Sequence, residues 1–140
     1  MLRQSFTTLA VRAPAQGLHE ISDDIARWVA GSGIRDGLLT LFCRHSSASL
    51  LIQENAAPAA RSDLEAYFAR IAPEDPSAYA HNDEGPDDMP AHLRAALTQT
   101  QLAIPVQAGR MMLGTWQGIY LFEHRRRPPQ RQVVLHLAGE

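Results

Sequence analysis

At 140 residues, 45 % hydrophobic and 20 % charged, the chain has the size and composition of one folded domain, which excludes a disordered segment. Its formal net charge of −2 provides no chain-wide positive field, so neither nucleic acid nor an anionic membrane surface is expected as a partner. All 13 basic side chains are arginine; without lysine there can be no lysine Schiff base and no P-loop, and phosphate must meet Arg forks, backbone N–H groups or a metal ion.

Cys43 is the single cysteine, so no internal disulfide can form. Residues Met1 to Phe6 lack the apolar run of a signal peptide, and no stretch is long and apolar enough for a membrane span. A cytoplasmic location is the expectation.

Gln4 to Val11 alternates and is rich in Thr and Val, which predicts a strand. Pro14 and Gly17 mark a turn, and Leu18 to Ile21 is expected to return as the hairpin partner. Ser22 reads as an N-cap, with Asp23 and Asp24 in the first turn of a helix that buries Ile25, Trp28 and Val29 and stops at Gly31 and Gly33. Gly37 to Arg44 is the strongest strand: Leu39, Leu41, Cys43 and His45 share one face, Leu38, Thr40, Phe42 and Arg44 the other, which predicts a central position. After the small polar break Ser46 to Ser49, Leu50 to Ile52 forms a short strand that runs into Gln53, Glu54 and Asn55.

Pro58 opens a second helix, with Leu64, Tyr67, Phe68 and Ile71 at i, i+3, i+4, i+7. Pro73 to Pro86 is a loop holding the densest polar cluster, His81-Asn82-Asp83-Glu84; long loops of this kind tend to carry function. Asp87 or Asp88 caps a third helix, with Pro90 in its first turn and Leu93, Ala96 and Leu97 facing inward. Leu102 to Val106, Ile119 to His124 and Gln132 to Leu137 complete the strands, with a glycine-bracketed turn at Gly114 to Gly118. The run Arg125 to Arg127 reads as a solvated strand end. Strands at both ends and helices grouped between them predict an α+β fold with a mostly antiparallel sheet in a single domain, 1–140; the absence of GxGxxG removes a dinucleotide-binding reading.

His81 and His92 are candidates to face one point, with Asp83, Glu84, Asp87 and Asp88 nearby. Imidazole plus carboxylate suits Zn²⁺, Mn²⁺ or Fe²⁺, and carboxylates alone suit Mg²⁺; a solvated acidic loop with ordinary capping is the competing reading. His45 emerges at the rim of a buried strand, as a site residue or as a core-edge histidine bonded to backbone. Glu54 and Glu123 each share a strand face with apolar neighbours, which makes either a candidate base or ligand, or else the partner of a nearby arginine. Trp116 reads more readily as a core plug than as a stacking platform. Nucleophilic chemistry is disfavoured: Ser46, Ser47 and Ser49 lack a GxSxG elbow, and an apolar strand face blunts Cys43.

The segments Arg44-His45-Ser46-Ser47-Ala48-Ser49-Leu50, Glu54-Asn55, His81-Asn82-Asp83-Glu84-Gly85-Pro86-Asp87-Asp88-Met89-Pro90-Ala91-His92 and Leu113-Gly114-Thr115-Trp116-Gln117-Gly118-Ile119-Tyr120 resemble, in order, the YjbQ-like family, also labelled secondary thiamine-phosphate synthase. Cys43 and Ser47, where members often carry Val and Thr, are small departures. The resemblance implies strands in two packed layers, a homotrimer, and a polar pocket near the subunit boundary built from the segments of His45, Glu54, His81 and His92. It also implies weak thiamine phosphate synthase activity on a small phosphorylated substrate. In that reading His45, His81 and His92 are metal ligands or acid–base groups, and Glu54 and Asp83 are carboxylate partners. Asn55, Thr115 and Gln117 position the substrate, Arg44 and Arg110 meet phosphate oxygens, and a divalent metal, Mg²⁺ or Zn²⁺, is the cofactor. The rivals are a metal-dependent hydrolase of a small phosphorylated metabolite and a non-catalytic ligand-binding or assembly module.

Overall fold

The computed structural model describes residues 1–140. Eight strands and three helices follow in the order β1 (Arg3–Val11), β2 (Gly17–Glu20), α1 (Ser22–Gly31), β3 (Gly37–Cys43), β4 (Ala48–Glu54), α2 (Pro58–Ile71), α3 (Asp88–Leu97), β5 (Gln101–Gln107), β6 (Arg110–Met111), β7 (Gln117–Glu123) and β8 (Arg131–Gly139). Five strands form one sheet in the order β1-β8-β3-β5-β6 and three form a second in the order β2-β7-β4, every pairing antiparallel. The architecture is the expected α+β arrangement of two layers, and β3 is central between β8 and β5.

Alternation explains the layering. Leu39, Leu41 and Cys43 of β3, Val133, Leu135 and Leu137 of β8, and Ile104 and Val106 of β5 point into one cluster with Leu50 of β4 and Ile119 and Leu121 of β7. Ile25 and Val29 of α1 seal the same cluster. β7 is buried on both faces: its other side, Tyr120 and Phe122, packs with Leu18 of β2 beneath Leu64 and Phe68 of α2. The smaller sheet is therefore sandwiched between the larger sheet and α2. The outer face of the five-stranded sheet has no such cover, and Phe6, Leu38 and Phe42 stand 65 %, 48 % and 45 % exposed on it.

The sandwich also encloses a polar seam. Glu123, His124, Ser49 and Arg131 are buried. Both Glu123 carboxylate oxygens accept from Arg131, at 2.7 and 2.6 Å, and Arg131 Nη2 also reaches the Ser47 carbonyl at 3.1 Å. His124 Nε2 lies 2.8 Å from Ser49 Oγ, while its Nδ1 has no partner. Burial, together with the charges of Arg94 and Arg131, holds the His124 pKa down at about 3.

Three local expectations are corrected. β2 does not fold back on β1: it pairs with β7, Gly17 opposite Glu123, and β1 pairs with β8. Ser22 does not cap α1. Ile21 holds that position, and Ser22 Oγ donates to Glu20 Oε2 and accepts from Ile119 N–H, both at 2.8 Å, tying the helix start to β7. The inward face of α3 is not Leu93, Ala96 and Leu97. Asp88, Pro90, Ala91 and Arg94 are buried, and Leu97 is exposed, because α3 turns towards polar loops and not towards the apolar core.

Candidate metal centre

Asp88 and His92 stand one turn apart on α3, a spacing that stacks their side chains on a common face. The loop before the helix returns His81 to the same point. His81 Nε2 lies 3.0 Å and His92 Nε2 3.1 Å from one oxygen, Asp88 Oδ2, and the three ligand atoms lie within 4.8 Å of one another. The Asp88 side chain is 2 % exposed, while those of His81 and His92 are 45 % and 32 % exposed. The carboxylate thus forms the floor of a cluster whose imidazoles face solvent.

A hydrogen bond behind the cluster fixes which nitrogen of His92 faces it. His92 Nδ1 is 3.0 Å from the Ser46 carbonyl oxygen, which can only accept, so Nδ1 carries a proton. In the neutral ring Nε2 then presents a lone pair to Asp88 Oδ2, acceptor to acceptor. That arrangement calls for a positive species between them, a proton or a metal ion, and an imidazole–carbonyl bond of this kind is what orients metal-ligating histidines.

Arg125, in the β7–β8 loop, holds the acids from behind. Its Nη1 donates to Asp88 Oδ1 at 2.7 Å, its Nε to Asp87 Oδ2 at 3.0 Å and its Nη2 to the Glu84 carbonyl at 2.9 Å. Asp87 Oδ2 also accepts from Arg126 N–H at 2.9 Å. Burial pushes the Asp87 carboxyl up, but the Arg126 N–H and the Arg125 hydrogen bond and charge outweigh it and hold the pKa below the usual carboxylate value. The first residue of the Arg125 to Arg127 run is therefore no solvated strand end, a correction the local sequence could not supply.

The other candidates lie elsewhere. His45 is not part of the cluster: its Nε2 accepts from Gln132 N–H at 2.8 Å. Burial and the charge of Arg131 hold its pKa below the usual histidine value. Asp83 is exposed in the loop. Ser46, the partner of His92, lies just before the start of β4, whereas Glu54 ends that strand, roughly 20 Å along it from Ala48 at the usual rise per residue. There Glu54 Oε2 accepts from Ala56 and Ala57 N–H, both at 2.9 Å, shaping the entry to α2. Asn55 donates to Glu20 at 3.4 Å, Gln117 Oε1 accepts from Gly114 N–H at 2.8 Å, and Thr115 is exposed beside them. Trp116 is 63 % exposed and plugs no core, and Arg110 and Arg44 are exposed, Arg44 on Gln132 Oε1 at 3.2 Å. Glu123 is the arginine-paired alternative, through Arg131. Cys43 is buried, and burial raises its thiol pKa.

The family model described as "UPF0047 protein YjbQ-like" matches residues 7–140. A UPF0047 protein of Synechocystis sp. is 50 % identical over 138 residues, covering 99 % of this chain and 94 % of that one. UPF0047 protein YjbQ of Escherichia coli O157:H7 is 41 % identical over 134 residues, covering 95 % and 96 %. Among solved structures, a YbjQ-like protein of unknown function from Sulfolobus solfataricus P2 superposes with a TM-score of 0.91 at 26 % identity, covering 100 % of both chains. An uncharacterised protein of the YjbQ/UPF0047 family from Clostridium acetobutylicum gives 0.81 at 31 % identity, covering 95 % and 98 %.

Proposed function

The chain belongs to the YjbQ-like UPF0047 family, and from that premise and the geometry above we propose that it is an enzyme whose His81, Asp88 and His92 hold a divalent metal ion beside a small phosphorylated substrate. The observation that carries this reading is the convergence of three ligand atoms: His81 Nε2, His92 Nε2 and Asp88 Oδ2 lie within 4.8 Å of one another, and His92 gives its Nδ1–H to Ser46, which leaves Nε2 to meet the ion. Two nitrogens and one oxygen suit Zn²⁺ or Fe²⁺ better than Mg²⁺, which prefers oxygen donors and retained water.

A bound ion there supplies Lewis acidity towards a phosphoryl oxygen or a water of lowered pKa. Asp88 contributes the anionic ligand and Arg125 keeps it in place; His81, the more exposed imidazole, sits where a substrate enters. Weak thiamine phosphate synthesis is the specific reaction we assign. The nitrogen-rich donor set also favours the second reading, hydrolysis of a small phosphorylated metabolite, because Zn²⁺ held by these residues would supply a water of lowered pKa. The uncovered outer face of the five-stranded sheet, with Phe6, Leu38 and Phe42 exposed, supports burial against further copies of the chain, and we propose a homotrimer. No helix is long and apolar enough to cross a membrane, and a cytoplasmic enzyme is the proposal.

Elemental analysis of protein purified without added metal, followed by Zn²⁺ titration, tests the centre. Wild type is expected to bind one ion per chain, and His81→Ala, Asp88→Asn and His92→Ala to lose it while remaining folded. Unchanged ion binding in those variants overturns the proposal. Assays with a pyrimidine diphosphate plus a thiazole phosphate, and with phosphomonoesters, separate the two reactions; ion binding with no turnover on either leaves a binding module. Light scattering at one 15.4 kDa chain would refute the trimer.

A further inference from the structure

A cavity of about 520 Å³ opens between α2, α3 and the β1–β2 turn, with Phe122 of β7 in its lining. Its volume lies within the roughly 300–1,000 Å³ of small-molecule sites. Four charged side chains line it: Glu65, Glu74, Arg94 and Arg126. Two of them are paired with each other, Arg126 with Glu74, whose Oε1 also accepts from Gln16 Nε2 at 3.2 Å.

The other two are not. Arg94 is only 6 % exposed, yet it makes no ion pair; Nη2 donates to the Ala72 carbonyl at 2.8 Å and Nε has no acceptor. Glu74 and Asp87 act on it only from beyond ion-pair distance, and a buried guanidinium so placed is where a ligand anion gains most. Glu65 also makes no ion pair. Its Oε2 accepts from Leu18 N–H at 2.8 Å, an approach that a side chain at Gly17, φ +126°, would block. The two unpaired charges are opposite in sign and face the same cavity. Phe68 meets Phe122 edge to face, centroids 5.3 Å apart, as an apolar wall of the same cavity.

We propose that this cavity binds a small zwitterion with an apolar body: a carboxylate met by Arg94, an ammonium met by Glu65, and a hydrocarbon part against Phe68 and Phe122, the chemistry of an apolar α-amino acid. A bare anion fits less well. With two acids and two arginines the wall is already neutral, and a zwitterion keeps it so while giving each unpaired charge a partner.

Isothermal titration calorimetry of the intact protein with L-leucine, L-methionine and L-phenylalanine, against acetate and methylammonium at equal concentrations, tests this. At least one amino acid is expected to bind saturably and neither half-ligand to do so. Glu65→Gln keeps an acceptor for Leu18 N–H but removes the charge, and is expected to weaken binding at least about tenfold. Ala69→Leu, on an exposed α2 position at the cavity wall, is expected to abolish it without touching the core. No saturable binding, acetate binding as tightly as the amino acids, or affinity unchanged in either variant overturns the proposal.

Discussion

Two buried acids, Glu123 and Asp88, divide the molecule into a closed half and an open one. Glu123 is 0 % exposed; Arg131 occupies both of its oxygens and the Arg125 N–H adds a third bond. Asp88 is 1 % exposed, but only Oδ1 is taken by an arginine, and Oδ2 faces two solvent-reachable imidazoles. Burial alone does not mark a functional acid. What distinguishes Asp88 is a lone pair offered towards the surface after every structural bond has been made.

The sharpest test of that contrast is Arg131→Met, which strands the Glu123 charge inside the sandwich and is expected to cost about 3–5 kcal/mol in urea unfolding. Adding Glu123→Leu should recover most of the loss, since a buried pair exchanges for apolar packing nearly evenly. The closed half should also register acid through His124. Its folded pKa of about 3 lies below the ordinary 6.5, so the unfolded chain binds the extra proton. Stability is therefore unaffected above roughly pH 6.5 and falls by up to ~1.4 kcal/mol per pH unit between there and pH 3, a slope that His124→Gln should flatten.

Arg125→Gln probes the boundary between the halves. It removes the cation behind Asp87 and Asp88 and should lower stability by about 1–3 kcal/mol and Zn²⁺ affinity by roughly 10–100-fold. The smallest effect on folding is expected for His81→Ala, within about 0.5 kcal/mol of wild type, with ion binding nonetheless lost. A His81→Ala cost as large as that of Arg131→Met would erase the distinction, because the open cluster would then be a structural lock.

Legibility in the sequence followed the range of the interaction. β3 could be placed at the centre because five of its seven residues, Leu38, Leu39, Leu41, Phe42 and Cys43, put apolar side chains on both faces, a signal held within one strand. The partner of β2 could not: residues 17–20 pair with 120–123, and nothing local competes with the nearer and wrong hairpin. The same holds within the site. His81, His92 and a group of acids were visible as chemistry, but Asp88 stood out from its neighbours only when Arg125, 37 residues on, claimed its other oxygen. In α3 the apolar residues misled, because the helix turns Arg94 inward and Leu97 outward, a choice set by loops and not by hydrophobic periodicity.

For the proposed centre Arg125 carries a further consequence, for ion selectivity. Its charge cancels one of the two held by Asp87 and Asp88, so the cradle meets an incoming cation with a single net negative charge. Hard ions such as Mg²⁺ and Ca²⁺ are retained chiefly by anionic oxygen and gain little there, whereas a borderline ion draws its affinity from imidazole nitrogen. In the proposed centre, an arginine that makes no contact with the ion would, by sequestering acid, turn an acidic loop away from hard, abundant cations and towards borderline, scarce ones.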